Sequence, residues 1–466
     1  MMHDVSVALA LALVCCGVAA AVNVPASGAA GRGARVGGGQ IPLPRFVQPS
    51  ARRYGMQQLL PGFFDVTDYG AKGDNATDNT DAFQKALAAA QTAAGGVVYV
   101  PPGLYRFKGN LVVPPAVTLQ GSYDTVPSHD CRQGDYPNDG SVLMPLANRG
   151  NDSADPFITV QHDATLHGFV VYHVEQTPNA MPVPYPFAIA LVGNNAAVTD
   201  VEILNAWNGV SAVAAHRHYI ARIQGQPLNI GIFIDQTYDI GRMEDVHFNP
   251  WFSVNKEFMY WQTTYGRAFV LGRSDWEYVF NTFAFAYAVG YHFVETSTGS
   301  MNGNFLGIGA DYACNASVKV DASQPAGLLI TNGEFTAFHN NDFAPNSTAI
   351  PSQVVVSPSN TGPVKFVTSS FWGPTDSIAR LQGSGTTTFS SCSFVQWDLA
   401  MARGTSAILA EGGNTIVQGC DFQDAKSQLH VSAAAKKVVF ANNVGPGPLN
   451  ITGAGAGIVV SAANAF

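Results

Sequence analysis

The stretch Phe63–Phe107, FFDVTDYGAKGDNATDNTDAFQKALAAAQTAAGGVVYVPPGLYRF, predicts a strand, a helix and a returning strand. Phe64, Val66 and Tyr69 lead into a segment holding Gly70, Gly73, Asp74 and Asn75, residue types that break a strand. Thr80 or Asp81 then caps a helix, because Ala82, Phe83, Ala86, Leu87 and Ala90 share one face at a spacing of about 3.6 residues and Gly95 and Gly96 close it. Val97 to Val100 is a short β-branched run, followed by a Pro-Pro-Gly turn and a strand around Tyr105 and Phe107.

The order DYGAKGDNATDNTDAFQKAL, then GGVVYVPPGLYRF, resembles the opening of the pectate-lyase-like superfamily in its rhamnogalacturonase/epimerase-like branch. That resemblance implies an all-β fold, a right-handed single-stranded parallel β-helix with this segment as an N-terminal helical cap, and polysaccharides as the broad substrate class. The cap carries no catalytic residues in the family. Asp74, Asp78 and Asp81 are accordingly expected to serve as turn and helix-cap groups.

Upstream, Val5 to Val22 is an apolar run with Ala19 and Ala21 placed as in a leader-cleavage site, so residues 1–21 read as a signal peptide of a secreted protein. The run approaches the ~18 residues that span a bilayer, which leaves an uncleaved anchor as the alternative. Residues 22–58 are rich in Gly, Ala and Pro without apolar periodicity and read as a flexible lead-in, leaving 59–466 as the β-helix domain. Asn75, Asn151, Asn315, Asn346 and Asn450 each begin an Asn-X-Ser/Thr sequon, which fits a secreted glycoprotein. After leader removal Cys131, Cys314, Cys392 and Cys420 remain, with no paired Cys-X-X-Cys spacing and hence no zinc signature.

Only 12% of residues are charged and the formal net charge is −9. No Lys/Arg cluster is present, which argues against nucleic-acid partners and, beyond the leader, against anionic membranes.

Downstream of Phe157, short apolar segments recur at roughly 20 to 28 residues, with two longer insertions, when Ile203, Ile223, Phe248, Phe285, Ile308, Phe335, Phe371, Phe394 and Phe422 are aligned. Each is followed by a second apolar strand: GVSAV, GIFI, RAFVL, YHFV, SVKV, QVVV, IARL, AILA and LHV. This is the pattern of a parallel solenoid, and it predicts about 9–11 coils with Ile232, Ile234, Val318 and Val320 inward and Phe233 and Lys319 outward. Cys392 and Cys420 hold equivalent places in consecutive coils; buried free thiols are favoured over a disulfide, because adjacent in-register parallel strands offer poor disulfide geometry.

Stacked coils turn equivalent positions into columns, about 4.8 Å per step. The residue after the second strand is Asp235, Gly272, Glu295, Asp321 or Glu411, and carboxylates spaced along one groove suit glycan chemistry. Asp235, Glu295 and Asp321 are the expected catalytic set. Arg273, Asp275, Trp276 and Glu277 in the GRSDWEY loop, Trp251, Tyr260 and Trp261 in the preceding aromatic insertion, and His292 are the expected substrate contacts. The polygalacturonase motifs of this fold are missing: NTF stands at Asn281 and NGN at Asn302, and there is no DD, GHG or RIK; IFIDQT lacks the His of the pectate-lyase motif. Family catalytic residues therefore carry over to no position. The expected function is a carbohydrate-active enzyme, a glycosidase or polysaccharide lyase acting on an extracellular polysaccharide, with calcium as cofactor if the reaction is elimination; the rival is a non-catalytic carbohydrate-binding or surface-structural β-helix.

Overall fold

The computed structural model describes residues 62–122, 139–177, 179–250 and 252–466. The expected leader and lead-in, Cys131 and Trp251 lie outside the described residues. In the opening stretch, a strand Phe63–Asp65 runs into a 3-10 turn Val66–Tyr69, which Gly70 ends at φ 97°. Helix α1 spans Thr80–Thr92 and buries Ala82, Phe83, Ala86, Leu87 and Ala90, the face its spacing predicts. It packs on the strands Phe63–Asp65, Gly96–Tyr99, Leu111–Val113 and Val117–Gln120.

Two local details differ from the sequence reading. Asp74–Asp78 is a strand that pairs with Gly103–Phe107, not an open turn. The residue flanking the helix is Asn79, whose buried side chain is occupied by the backbone of Lys72 and Thr77, so the cap bond comes from Asp78 Oδ1, which accepts Thr80 N at 3.1 Å. Asp74 accepts from the Thr77 amide and hydroxyl and from the Ala76 amide, which hold its carboxyl down at about 2.

Beyond this segment the chain winds through two long parallel sheets. The second contains 13 strands among the described residues, from Leu111–Val113 to Ile451–Thr452, and all nine second strands read from the sequence are among them. The expected 9–11 coils therefore fall short. Counting from Ile203 omitted the stacked strands Leu111–Val113, Ile158–Val160 and Phe187–Leu191, and it stopped before Ile451–Thr452. Ile232, Ile234, Val318 and Val320 are buried, while Phe233 and Lys319 face outward. No helix among the described residues is long and apolar enough to cross a membrane.

The first sheet is bent in every coil. Its early strands, such as Tyr219–Gln226 and Glu277–Phe285, run through the bend, and from Gly303 onward each path divides there into two strands, as in Gly303–Leu306 and Gly309–Ala313. From Gly168 onward the bend residue is left-handed: Gly168, Asp200, Arg222, Asp245, Asn281, Gly307, Asn332, Thr368, Ser391, Gly419 and Asn442 have φ between 48° and 83°. Register places them in one column. Left-handed backbone costs a non-glycine residue roughly 1–2 kcal/mol, which favours Gly, Asn and Asp here. Side-chain bonds along the column offset part of that cost: Arg222 grips Asp200 at 2.8 and 2.6 Å, Asn281 donates to Asp245 at 2.6 Å, and Thr368 donates to Asn332.

After the bend, Phe335, Phe371, Phe394 and Phe422 stack inward at centroid separations of 5.5, 5.4 and 4.7 Å. Cys392 and Cys420 are buried free thiols one coil apart, the Cys392 amide donating to Cys420 Sγ at 3.4 Å. The sequence alignment slips elsewhere: Phe248 pairs with Ala284 instead of Phe285, and Ala284 pairs with Ala310 instead of Ile308. A one-residue slip reverses the face of a strand residue, so Phe285 belongs to an outward column with Asp311, Thr336 and Trp372.

Candidate active site

The expected acidic groove resolves into separate structural parts. Extending the strand register by one residue aligns Asp235, Gly272, Val294, Asp321, Ser357, Gln382 and Glu411. Glu295 is one residue past this column and exposed, because Tyr291 and Phe293 are the inward pair of their strand and Val294 takes the column place. Asp235 and Asp321 lie three coils apart, about 14 Å at ~4.8 Å per step, beyond the ~9.5 Å limit for a cooperating glycosidase pair.

Both acids are also held by local hydrogen bonds. Asp235 is buried, and its Oδ1 accepts from Arg273 N at 2.8 Å, Thr296 Oγ1 at 2.9 Å and Thr298 Oγ1 at 3.0 Å. Burial pushes the Asp321 carboxyl up, but hydrogen bonds from His292 at 2.7 Å and from Ser357, with the charges of His292 and Lys319, hold it well below the usual carboxylate range. His292 Nε2 is thereby engaged by Asp321.

The proposed contacts fare similarly. Arg273 pairs with Asp275 at 2.9 Å and lies over the Tyr238 ring, and Asp275 also accepts Gln324 Nε2 at 2.6 Å. Trp276 is exposed. Glu277 is wholly buried, which removes it as a surface contact: it meets His218 Nε2 at 3.1 Å and accepts Ser274 Oγ at 2.7 Å. Gly241 leaves room for that pair, since a Cβ there would lie 2.2 Å from Glu277 Oε2 and from His218 Cε1.

The aromatic insertion forms helix α2, Lys256–Tyr265, at the opposite edge of the second sheet from Asp235. A five-residue strand, Arg267–Leu271, separates the two edges by roughly 17 Å at ~3.3 Å per residue. Phe252 and Phe258 are core residues, and Trp261 packs between Trp207 and Tyr265 at 4.9 and 4.6 Å, with Tyr260 beyond at 6.3 Å. Tyr260 and Trp261 are therefore not walls of an Asp235 groove.

A different face holds the arrangement with chemical potential. On the outer side of the first sheet, just after the bend, a cavity of about 300 Å³ is lined by Asn281, Phe283, Gly309, Asp311, Asn332, Glu334, Thr336 and Trp372, among others. It exists because Gly309 follows Phe283 in the outward column and precedes Glu334, and a Cβ on Gly309 would lie 2.9 Å from the Phe283 ring. One coil back, the His247 ring lies 4.8 Å from Phe283.

Asp311 and Glu334 stand on adjacent coils, two positions apart on one face, so their Cβ atoms are separated by about 8 Å from the ~4.8 Å strand spacing and ~3.3 Å rise. Burial raises the Asp311 carboxyl above its ordinary value and the Glu334 charge adds to this, against hydrogen bonds from Thr336 and the Tyr312 amide. Thr336 Oγ1 accepts Tyr312 N at 2.8 Å and donates to Asp311 Oδ1. Glu334 is steadied by Trp372 Nε1 at 3.0 Å. Among the described residues, no three His, Cys, Asp or Glu side chains come together as a metal ligand set.

The family described as rhamnogalacturonase A/epimerase, pectate lyase-like, matches residues 63–161. The described chain is a parallel β-helix with a pectate-lyase-like opening. Over 46 residues, 10% of its length, this β-helix is 56% identical to alginate lyase 7 of Azotobacter vinelandii. It is 54% identical over 46 residues to mannuronan C5-epimerase AlgE3 of the same organism. The matched parts are 5% and 2% of those relatives, so the chain spans a twentieth or less of their length. Gene product 12 of bacteriophage phi29, in its pre-mature form, superposes with a TM-score of 0.51 at 13% identity, covering 86% of this chain and 56% of that one. At that identity the likeness is one of fold. The family match ends well before Asn281, so the cavity owes its assignment to geometry alone.

Proposed function

We propose that this β-helix is a secreted carbohydrate-active enzyme, a glycoside hydrolase whose proton donor is Asp311 and whose second carboxylate is Glu334. One observation carries the reading: a half-buried carboxyl with raised proton affinity lines a cavity beside a second carboxylate, with the aromatic side chains of Trp372 and Phe283 in the same lining. With ~8 Å between their Cβ atoms the two side chains can flank one glycosidic bond, and we take them as an inverting pair, whose carboxyl groups stand ~6.5–9.5 Å apart with a water between them. Asp311 would protonate the departing glycosidic oxygen while Glu334 takes a proton from the attacking water.

The carbohydrate relatives support the class, and the leader-like residues 1–21 and exposed sequon residues Asn151, Asn315, Asn346 and Asn450 support secretion with glycosylation. The test is a glycan panel with Asp311→Asn and Glu334→Gln beside the native protein. New reducing ends that vanish in both variants support hydrolysis at this site. Unsaturated ends would mean elimination, and retention without cleavage would favour the binding-only alternative.

A further inference from the structure

We infer that the Asp311–Glu334 cavity takes an uncharged glycan and excludes polyuronates. The inference rests on the hydrolase reading above and deepens it by naming the substrate class. Its basis is the charge of the lining: two carboxylates, two asparagines, threonines, glycines and rings, with no Lys, Arg or His. The column beyond Glu334 continues through the neutral Ser370 and Ser393 to Asp421, so it brings no cation to the cavity.

The cations nearest in the fold are turned elsewhere or already paired. Lys365 precedes the bend and lines a different pocket with Trp276 and Leu329. Arg222 is held by Asp200, and Lys319 and Arg380 belong to the second sheet, where they meet Asp321 and Glu411. His247 lies one coil back against Phe283 and is outside the lining.

A uronate in this cavity would bring its carboxylate against Glu334 and Asp311 with no counter-charge from the lining, and like charges at close range repel. Elimination from a uronate would need that carboxylate neutralised so the neighbouring carbon can lose its proton, a task no lining side chain performs. Hydrolysis of a neutral sugar needs only what is present. The bond from anomeric carbon to glycosidic oxygen breaks, the oxygen receives the Asp311 proton, water oxygen bonds to the anomeric carbon, and Glu334 receives the water proton. Polar selection falls to Asn281, Asn332 and Thr336. Phe283 and Trp372, three coils apart or about 14 Å along the axis, mark the ends of a stretch in which an extended chain can stack.

The experiment is affinity electrophoresis of the full protein in gels carrying xylan, mixed-linkage β-glucan, an α-glucan, arabinan or inulin, against polygalacturonate and alginate, at low and high salt, with Asp311→Asn and Glu334→Gln in parallel. The expected result is retention by at least one neutral glycan, at least tenfold stronger than by either polyuronate and insensitive to salt. A positive control is Ser370→Lys, which places a cation beside Glu334 in the outward column and should raise polyuronate retention. Stronger retention on polyuronate, or on no neutral glycan, overturns the inference. Cleavage unaffected by Asp311→Asn and Glu334→Gln overturns the site itself, a failure distinct from the right site taking a charged substrate.

Discussion

Two sets of carboxylates in this solenoid differ in what surrounds them. At the exit edge of the second sheet, Asp235 accepts three hydrogen bonds and Asp321 sits among His292, Lys319 and Ser357. On the outer face of the first sheet, Asp311 is sunk beside Glu334 with two donors and a cavity in front of it. The first set spends its charge fastening turns; in the second, burial and the neighbouring Glu334 charge raise the proton affinity of Asp311. Spacing along a column thus finds acids, whereas the balance of donors against burial decides which of them can exchange a proton.

Substitutions at the two sets should separate activity from stability. Asp311→Asn is expected to lower kcat by about 10²- to 10⁴-fold on the identified glycan, the usual worth of general-acid catalysis, with thermal stability little changed. An equal loss from Asp235→Asn would erase the contrast. Glu277→Ala should destabilise by about 3–5 kcal/mol in chemical denaturation, because it leaves the buried His218 without its counter-charge.

The pH dependence of that pair is a second check. Burial lowers the proton affinity of His218, but the Glu277 charge and the bonds to Glu277 and Ala215 raise it above the ordinary 6.5 overall. The pair's stabilisation should be complete below about pH 6.5 and fade as pH rises through the folded value, and Glu277→Gln should flatten that slope. Asp321 runs the other way: its contribution is present above the ordinary 3.8 and is lost only as the medium becomes far more acidic.

Asp235→Ala leaves the Arg273 amide and two threonine hydroxyls without their acceptor. It should cost about 1–3 kcal/mol while turnover per folded molecule is retained. The smallest effect expected is from Thr336→Val, which removes a bond that holds the Asp311 proton affinity down. The alkaline limb of the kcat profile should move to higher pH, and a shift to lower pH would contradict the assigned direction.

Much of the scaffold is legible in the sequence because its signals are local or repeat. The buried face of α1, the nine second strands and the Phe335–Phe422 stack all follow from periodicity. What escapes is register. Aligning Phe285 as an inward residue, when Ala284 holds that place, hid the outward column in which Asp311 and Trp372 sit. The left-handed bend residues offered a better ruler, since Asp245, Asn281, Gly307 and Asn332 mark the same point in successive coils. Glu277 escaped for another reason: its partner His218 is 59 residues away, and nothing in GRSDWEY announces a buried ion pair.

The most direct test of the account is a carboxyl-carbon NMR titration of the aspartates, with the Asp311 resonance assigned by its loss in Asp311→Asn. The account predicts that Asp311 titrates above the ordinary aspartate value of 3.8, and that Glu334→Gln brings it down by removing the neighbouring charge. Titration at or below that value, or no response to Glu334→Gln, would contradict it.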